Sequence, residues 1–267
     1  MPTQTKYIPE SSSTSTSKPT SKSTSSKSTS RTIIQVAAAL IFLAGIGIFA
    51  YPYIMQLLYD RGVTAIVHSF EADRQNQDPR LEALYQKMIE ENQSLYENGQ
   101  MNLVDPFSYE QPGLDLTEYG LSDNIMGYIS IPKIEVLLPI HLGASTENMK
   151  QGAVHLTQTS YSVGGPNTNS VIAAHRGYSK ALMFRKIDLL EIGDSVKIRN
   201  FREELDYEVT DIKIIDPHDS QEILIQPEKE LVTLMSCHPF PGNKLRYLVY
   251  CERVTGSDNS GKQLQDI

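Results

Sequence analysis

The feature that most constrains this chain is an uncharged run of 28 residues, from 32 to 59. Its apolar part extends from Ile33 to Met55 and is interrupted only by Gln35. A helix of about 20 apolar residues spans the hydrocarbon core of a bilayer, so the run is long enough to cross one. It exceeds the roughly 7–15 apolar residues of a cleaved signal peptide, and it lacks the polar stripe of a soluble-core helix. The sequence therefore predicts an uncleaved transmembrane anchor at 32–59.

The anchor separates two segments of opposite charge. Residues 1–31 contain 18 Ser or Thr and carry five basic side chains against one acidic, for a net charge of 5 − 1 = +4. Such a stretch has little to bury and is expected to be a disordered tail. The residues from 60 onward carry 19 basic and 31 acidic side chains, for 19 − 31 = −12, which argues against a nucleic-acid partner. The basic flank favours a cytoplasmic N-terminus, and the remainder of this cell-membrane protein is then extracellular.

The extracellular part is predicted to begin helical and to become rich in β-structure. Residues 60–123 read as a helical segment, in which 79–99 carries apolar side chains on one face. Residues 124–255 contain short β-rich runs, and a change of apolar parity within one of them predicts a β-bulge near Thr210. Such a set of strands favours a closed barrel or sandwich with short helical insertions, followed by a polar tail at 256–267. The predicted strands are 125–131, 134–140, 170–175, 195–199, 205–215, 231–237 and 245–254.

The last two predicted strands are expected to form a hairpin that brings Cys237 opposite Arg246. In that register the residue numbers of any two facing residues add up to 483. The Cβ atoms of such a pair lie about 4.5–5.5 Å apart. Cys251 then faces Val232, on the order of 16 Å from Cys237. A disulfide needs Cα atoms within about 7 Å, so the only two cysteines of the chain are expected not to pair.

Cys237, His175 and Arg246 are the candidate reactive residues. Cys237 and His175 each end a buried apolar run, where a side chain is held rigidly and still opens onto loops. A guanidinium beside a thiol favours the nucleophilic thiolate, and it can also stabilise an oxyanion that forms during attack on a carbonyl. A nearby imidazole can exchange protons with the sulfur and with a leaving amine. The pattern predicts acyl transfer through a thioester, and it indicates neither a metal nor an organic cofactor.

The other histidines are interpreted as structural residues. His238 follows Cys237 directly, but in a continuing strand its side chain points to the opposite face. The remaining histidines are His68, His141, His155 and His218.

A papain-like peptidase is disfavoured, because such enzymes usually place the cysteine at a helix N-terminus, whereas Cys237 ends a β-rich run.

The segments AAHRG, TLMSC and LRYLVYCERV resemble the signature strands of sortases, the Gram-positive cysteine transpeptidases. The order agrees, with His175 first, Cys237 62 positions later and Arg246 nine positions after that. The resemblance implies an eight-stranded sortase-type β-barrel over roughly 124–254. It also implies that Cys237 attacks an LPXTG-like sorting signal, that His175 acts as general acid and base, and that Arg246 holds substrate. Ser236 stands where the family usually has Thr, a mild departure.

A further segment, Asp105-Pro106-Phe107, resembles the lid of class C sortases, which polymerise pilins. The resemblance implies that Asp105 pairs with Arg246, that Phe107 covers Cys237, and that a pilin Lys amine accepts the acyl group. Alternatively, the segment is simply a turn between the helix and the barrel. Class C members commonly carry a second transmembrane helix after the barrel, whereas residues 256–267 are polar.

Two other functions remain open at this point. A housekeeping sortase would use the same nucleophile to anchor surface proteins to a peptidoglycan precursor. An anchored β-barrel could instead bind surface proteins without catalysing a reaction.

Overall fold

The computed structural model describes residues 26–75, 78–100, 103, 113–121, 123–178 and 181–254, with side chains from residue 31 onward. The predicted lid residues Asp105 and Phe107 lie outside this part of the chain, as do most of the Ser/Thr-rich tail and the polar tail. The chain divides into two compact units, Met1–Ala50 and Tyr51–Ile267.

Helix α1 extends from Ser26 to Gln75. Its segment 31–75 is long and apolar enough to cross a membrane. The most apolar stretch of 18 residues in this segment has a mean hydropathy of 2.5, and none of those residues is buried. The helix begins before and ends after the predicted anchor range of 32–59. Among the described residues, α1 is the helix that meets the requirements of a transmembrane anchor.

Helix α2 (Pro79–Glu97) belongs to the second unit and packs into its main apolar cluster through one face. Asp78 caps its N-terminus by accepting a hydrogen bond from the backbone N–H of Arg80, at 2.9 Å. Asn92 interrupts the apolar face and is nevertheless buried. Its side-chain amide can be buried because it both donates a hydrogen bond to the backbone of Tyr161 and accepts one from it. Its Nδ2 donates to the Tyr161 carbonyl at 3.1 Å, and its Oδ1 accepts from the Tyr161 N–H at 2.7 Å. The other buried residues of this helix are Leu81, Leu84 and Met88.

Eight strands form a closed barrel in the order β1-β2-β3-β4-β7-β8-β6-β5. This confirms the predicted barrel and its strand number. A short helix, α3 (Thr146–Gln151), and several 3-10 helices connect the strands. The strands are β1 (Ile125–Ile131), β2 (Val136–Leu142), β3 (Ala153–His155), β4 (Thr168–Ala173), β5 (Ser195–Asn200), β6 (Glu204–Ile215), β7 (Glu230–His238) and β8 (Leu245–Arg253).

Strand β7 lies between β4, with which it pairs in parallel, and β8, with which it pairs antiparallel. In the β7–β8 hairpin Cys237 faces Arg246, and Val232 faces Cys251, as the sequence predicts. The predicted bulge is also present, because the β6–β8 register shifts between Val209 and Asp211.

Three details of the strands differ from the sequence prediction. Strand β2 begins at Val136 because Pro132–Ile134 forms a 3-10 helix that Glu135 ends with a φ of 55°. Strand β3 was not predicted, since three residues are too few to show a β pattern. Strand β4 lies at Thr168–Ala173 and so ends before His175.

Strands β4, β7 and β8 each contact two apolar clusters; β7 and β8 carry Cys237 and Arg246, and β4 leads to His175. Successive side chains of a strand point to opposite faces, so alternate residues enter alternate clusters. The main cluster receives one set of side chains, which are Ile172, Ala174, Val232, Leu234, Tyr247, Val249 and Cys251. The second cluster receives the other set, which are Val171, Ala173, Met235, Leu248 and Tyr250.

Candidate active site

The two cysteines occupy different environments, and both are free thiols. Cys237 is half-buried near the end of β7, directly opposite Arg246 in the hairpin. Cys251 is fully buried in the main cluster, and burial raises the pKa of its thiol. Cys237 is therefore the accessible thiol of the pair.

His175 lies just beyond the end of β4, where the pairing with β7 continues for a short distance. The last paired residues are Ala173 and Met235. The Ala174 N–H then donates to the Met235 carbonyl at 3.2 Å, and Ser236 Oγ donates to the Ala174 carbonyl at 2.8 Å. Continuing this register by two residues puts His175 beside Cys237, at the roughly 4.8 Å spacing of neighbouring strands.

The alternation of side chains assigns the three candidate residues to one face of the sheet. Each candidate residue continues the set that enters the second cluster. His175 and Cys237 follow Ala173 and Met235 by two positions, and Arg246 precedes Leu248 by two. His238 contacts Arg176 and Tyr247, which belong to the opposite set. The register and the alternation thus assign the sequence-predicted residues to one face of three neighbouring segments, and His238 points to the opposite face as predicted.

The turn that follows His175 holds its ring and its backbone. The ring stacks on Tyr178, with centroids 5.6 Å apart and an interplanar angle of 18°, and the His175 carbonyl accepts the N–H of Phe184 at 3.0 Å. Gly177 makes the turn at a φ of +96°, and a Cβ there would meet Arg185 Nη1 at 2.8 Å. Gly177 ends the AAHRG segment and is itself a turn signal, whereas no sequence pattern pointed to Tyr178.

Burial lowers the pKa of His175. A lowered pKa increases the fraction of neutral imidazole near neutral pH, and a neutral imidazole can accept a proton. The half-buried His175 ring is thus suited to take the proton of a neighbouring thiol and to return it to a leaving group.

The guanidinium of Arg246 is held by the loop between β7 and β8. Its Nη1 donates to the carbonyls of Asn243, at 2.7 Å, and Leu245, at 3.1 Å. On the same loop, Phe240 packs under the guanidinium of Arg185, which lies 3.5 Å from the ring centroid. This contact joins the loop after Cys237 to the helical turn that follows His175.

The other histidines make contacts of their own. His155 is buried, stacks on Tyr161 at 5.2 Å, and has its Nε2 2.9 Å from the Ser160 carbonyl. His141 is buried in β2, whereas His218 is exposed beside Asp216. Within the described ranges, no group of three or more His, Cys, Asp or Glu residues has the arrangement of a metal site.

The barrel and the Cys–His–Arg face define a cysteine acyltransferase type of site, and comparisons with known proteins agree. A model of the sortase domain matches residues 129–254. Sortase D of Bacillus subtilis (strain 168) is 35% identical over 134 residues, which are 48% of this chain and 64% of that protein. The aligned part thus spans just under two thirds of that relative.

Solved sortase C structures match over more of their length. Sortase C1 of pilus island 1 from group B Streptococcus has 26% identity and a TM-score of 0.66, over 75% of this chain and 96% of that one. Sortase C from Clostridium perfringens SM101 has 30% identity and a TM-score of 0.60, over 71% and 98%. The chain belongs to the sortase family, whose members are cysteine transpeptidases.

Replacing His141 should weaken the loss of stability in acid. Burial lowers the pKa of His141 to about 4, so between about pH 6.5 and 4 the unfolded chain binds a proton that the folded chain excludes. The stability due to the neutral ring is fully present above pH 6.5 and falls by up to about 3 kcal/mol toward pH 4. Nε2 makes no hydrogen bond to the described residues, so His141→Leu should leave stability at pH 7.5 within about 1 kcal/mol of the original.

Urea denaturation of the detergent-solubilised chain between pH 7.5 and 4 measures this difference. The prediction is a shallower fall in the free energy of unfolding for His141→Leu. An identical fall in both proteins would contradict the burial account.

The two thiols should also differ in reactivity. A methanethiosulfonate reagent should modify the folded chain at Cys237 alone, because Cys251 is fully buried and burial disfavours its thiolate. Mass spectrometry should find one adduct, none in Cys237→Ala, and two sites after denaturation. Modification of Cys251 in the folded chain would contradict this assignment.

Proposed function

We propose that this protein is a membrane-anchored extracellular transpeptidase of the class C type. In this proposal it cleaves an LPXTG-like sorting signal and joins the new carboxyl end to a Lys amine of a pilin. The observation that carries the proposal is the strand register, because β4, β7 and β8 direct His175, Cys237 and Arg246 to one face of the sheet.

The first half of the reaction forms a thioester. The neutral His175 ring takes the proton of Cys237, and the thiolate attacks the Thr carbonyl of the sorting signal. Arg246 stabilises the oxyanion that develops on the carbonyl oxygen. The imidazolium gives its proton to the leaving amine as the C–N bond breaks, and the C-terminal fragment departs.

The second half transfers the acyl group to an amine. A neutral Lys side chain attacks the thioester carbonyl, His175 removes a proton from the attacking nitrogen, and the C–S bond breaks to leave an isopeptide bond. The Cys237 thiolate is then reprotonated by His175. Pilin is proposed as the acceptor because the chain resembles sortase C structures, one of which is described as belonging to a pilus island.

The anchor and the lid complete the proposal. Helix α1 supplies a candidate membrane span, and the basic residues that precede its uncharged run support a cytoplasmic N-terminus with the barrel outside the cell. Asp105 and Phe107 are proposed to pair with Arg246 and to cover Cys237, so that the site is closed before the sorting signal arrives. A carboxylate there would neutralise the guanidinium, and a ring would exclude water.

The test combines mass spectrometry with a pilin ladder assay. Full chain mixed with a sorting-signal peptide should gain the mass of the acyl fragment on Cys237, and with a pilin subunit it should yield a covalent ladder. Cys237→Ala should lower the transpeptidation rate by at least about 10³-fold, because the covalent step has no other nucleophile. Arg253→Met, at the other end of β8, is the matched control and should retain the ladder.

Each outcome discriminates between the functions. An acyl adduct without a ladder, even after Asp105→Ala and Phe107→Ala, would favour a housekeeping sortase that uses a peptidoglycan precursor as its amine. The absence of an adduct would favour a barrel that binds without catalysis. Full transpeptidation by Cys237→Ala would overturn the mechanism.

A further inference from the structure

The residues that immediately follow His175 and Cys237 form a buried cluster on the opposite face of the sheet. Arg176 follows His175, and its Nη1 lies 2.7 Å from Nδ1 of His238, the residue after Cys237. Its Nη2 lies 2.6 Å from Oδ2 of Asp188. Only 5% of the Arg176 side chain is exposed, so these contacts hold a nearly dehydrated cation.

The ring of Tyr247 completes this cluster. The Arg176 guanidinium carbon lies 5.4 Å from its centroid, and the His238 ring centroid lies 5.7 Å away. Tyr247 is adjacent to Arg246 and belongs to the set of side chains that enters the main cluster. The cluster therefore lies behind the sheet positions that carry His175, Cys237 and Arg246.

The geometry determines the hydrogen-bonding roles. Arg176 has only N–H donors, so Nδ1 of His238 must accept and the ring hydrogen belongs to Nε2. Nε of Arg176 has no hydrogen-bond partner among the described residues. The orientation of the guanidinium hence depends on His238 at one end and on Asp188 at the other.

These contacts connect the two segments just where their backbone pairing ends. The last backbone hydrogen bond of the β4–β7 edge runs from the Ala174 N–H to the Met235 carbonyl. Ser236 Oγ then donates to the Ala174 carbonyl, and the Arg176–His238 bond is the link that follows. Asp188 extends the link to the 3-10 helix Met183–Leu189, which also binds the His175 carbonyl through Phe184. A guanidinium thus joins three segments around the candidate pair.

We propose that Arg176 is a positioning residue that holds His175 beside Cys237 by tying together, from behind the sheet, the residues that follow them. The inference deepens the proposed function and rests on it, because it concerns the same Cys–His pair. Arg176 touches neither substrate nor sulfur in this arrangement. Its effect arises because a displacement of about 1 Å between reacting groups can cost about 10²-fold in rate.

Steady-state kinetics of the full chain with a sorting-signal peptide test the proposal. Arg176→Met should lower kcat about 10- to 100-fold and leave KM within about twofold, since Arg176 faces away from the peptide. The matched control is Arg253→Met, which removes a half-buried guanidinium that lies 3.0 Å from Glu230 and packs over Tyr207. Thermal unfolding of both variants measures their loss of stability, and Arg253→Met should retain kcat within about twofold.

Two substitutions of His238 separate the hydrogen bond from ring packing. His238→Asn offers an amide oxygen near the position of Nδ1 and should retain most of kcat, whereas His238→Leu offers no acceptor and should lose as much as Arg176→Met. Equal kcat for His238→Asn and His238→Leu would overturn the proposal. So would a kcat for Arg176→Met within about twofold of the original, or a matching loss in Arg253→Met.

A substrate-free measurement keeps this proposal separate from the proposed function. The rate at which iodoacetamide alkylates Cys237 at neutral pH, located by mass spectrometry, depends on a base beside the thiol. Arg176→Met should slow it several-fold and Arg253→Met should not. If the original chain forms no acyl adduct, the proposed function fails, while equal alkylation rates in Arg176→Met and the original chain would overturn the positioning role.

Discussion

The parallel pairing of β4 with β7 is the constraint on which the site depends. The residue numbers of each pair differ by 62, from Thr168 with Glu230 to Ala173 with Met235. Both strands are almost wholly buried, as parallel strands usually are, and Thr233 Oγ1 donates to Asn169 Oδ1 across them at 2.8 Å. A slip by one residue would move every side chain of a strand from one apolar cluster to the other, so the packing holds this register firmly.

That register gives the end of the sheet two faces with different properties. One face presents the half-buried His175, Cys237 and Arg246, where burial lowers the pKa of His175 and a guanidinium stands opposite the sulfur. The other face buries Arg176 against His238. Catalytic groups need to be partly accessible and still held to within fractions of an ångström. Placing the accessible groups on one face and the buried contacts on the other satisfies both needs.

Local patterns made much of this arrangement predictable. The β7–β8 register followed from two runs and the loop between them, so the Cys237–Arg246 pair and the free state of both cysteines could be derived from geometry. The contacts of Arg176 could not be derived, because Asp188 belongs to a segment whose position depends on the whole fold. Asn92 read as an interruption of a helix face because its partner lies in a loop distant in sequence. The roles of Asp105 and Phe107 stay predictions.

The most direct measurement of the central geometry is a disulfide formed across the β4–β7 edge. A cysteine introduced by His175→Cys should oxidise readily with Cys237, because neighbouring strands bring Cα atoms into the roughly 4.4–6.8 Å range that a disulfide requires. The matched variant Ala174→Cys points to the main cluster and should not cross-link. Peptide mapping without reduction distinguishes the two. Cross-linking in His175→Cys alone is the predicted result, whereas no cross-link there, or one from Ala174→Cys instead, would contradict the account.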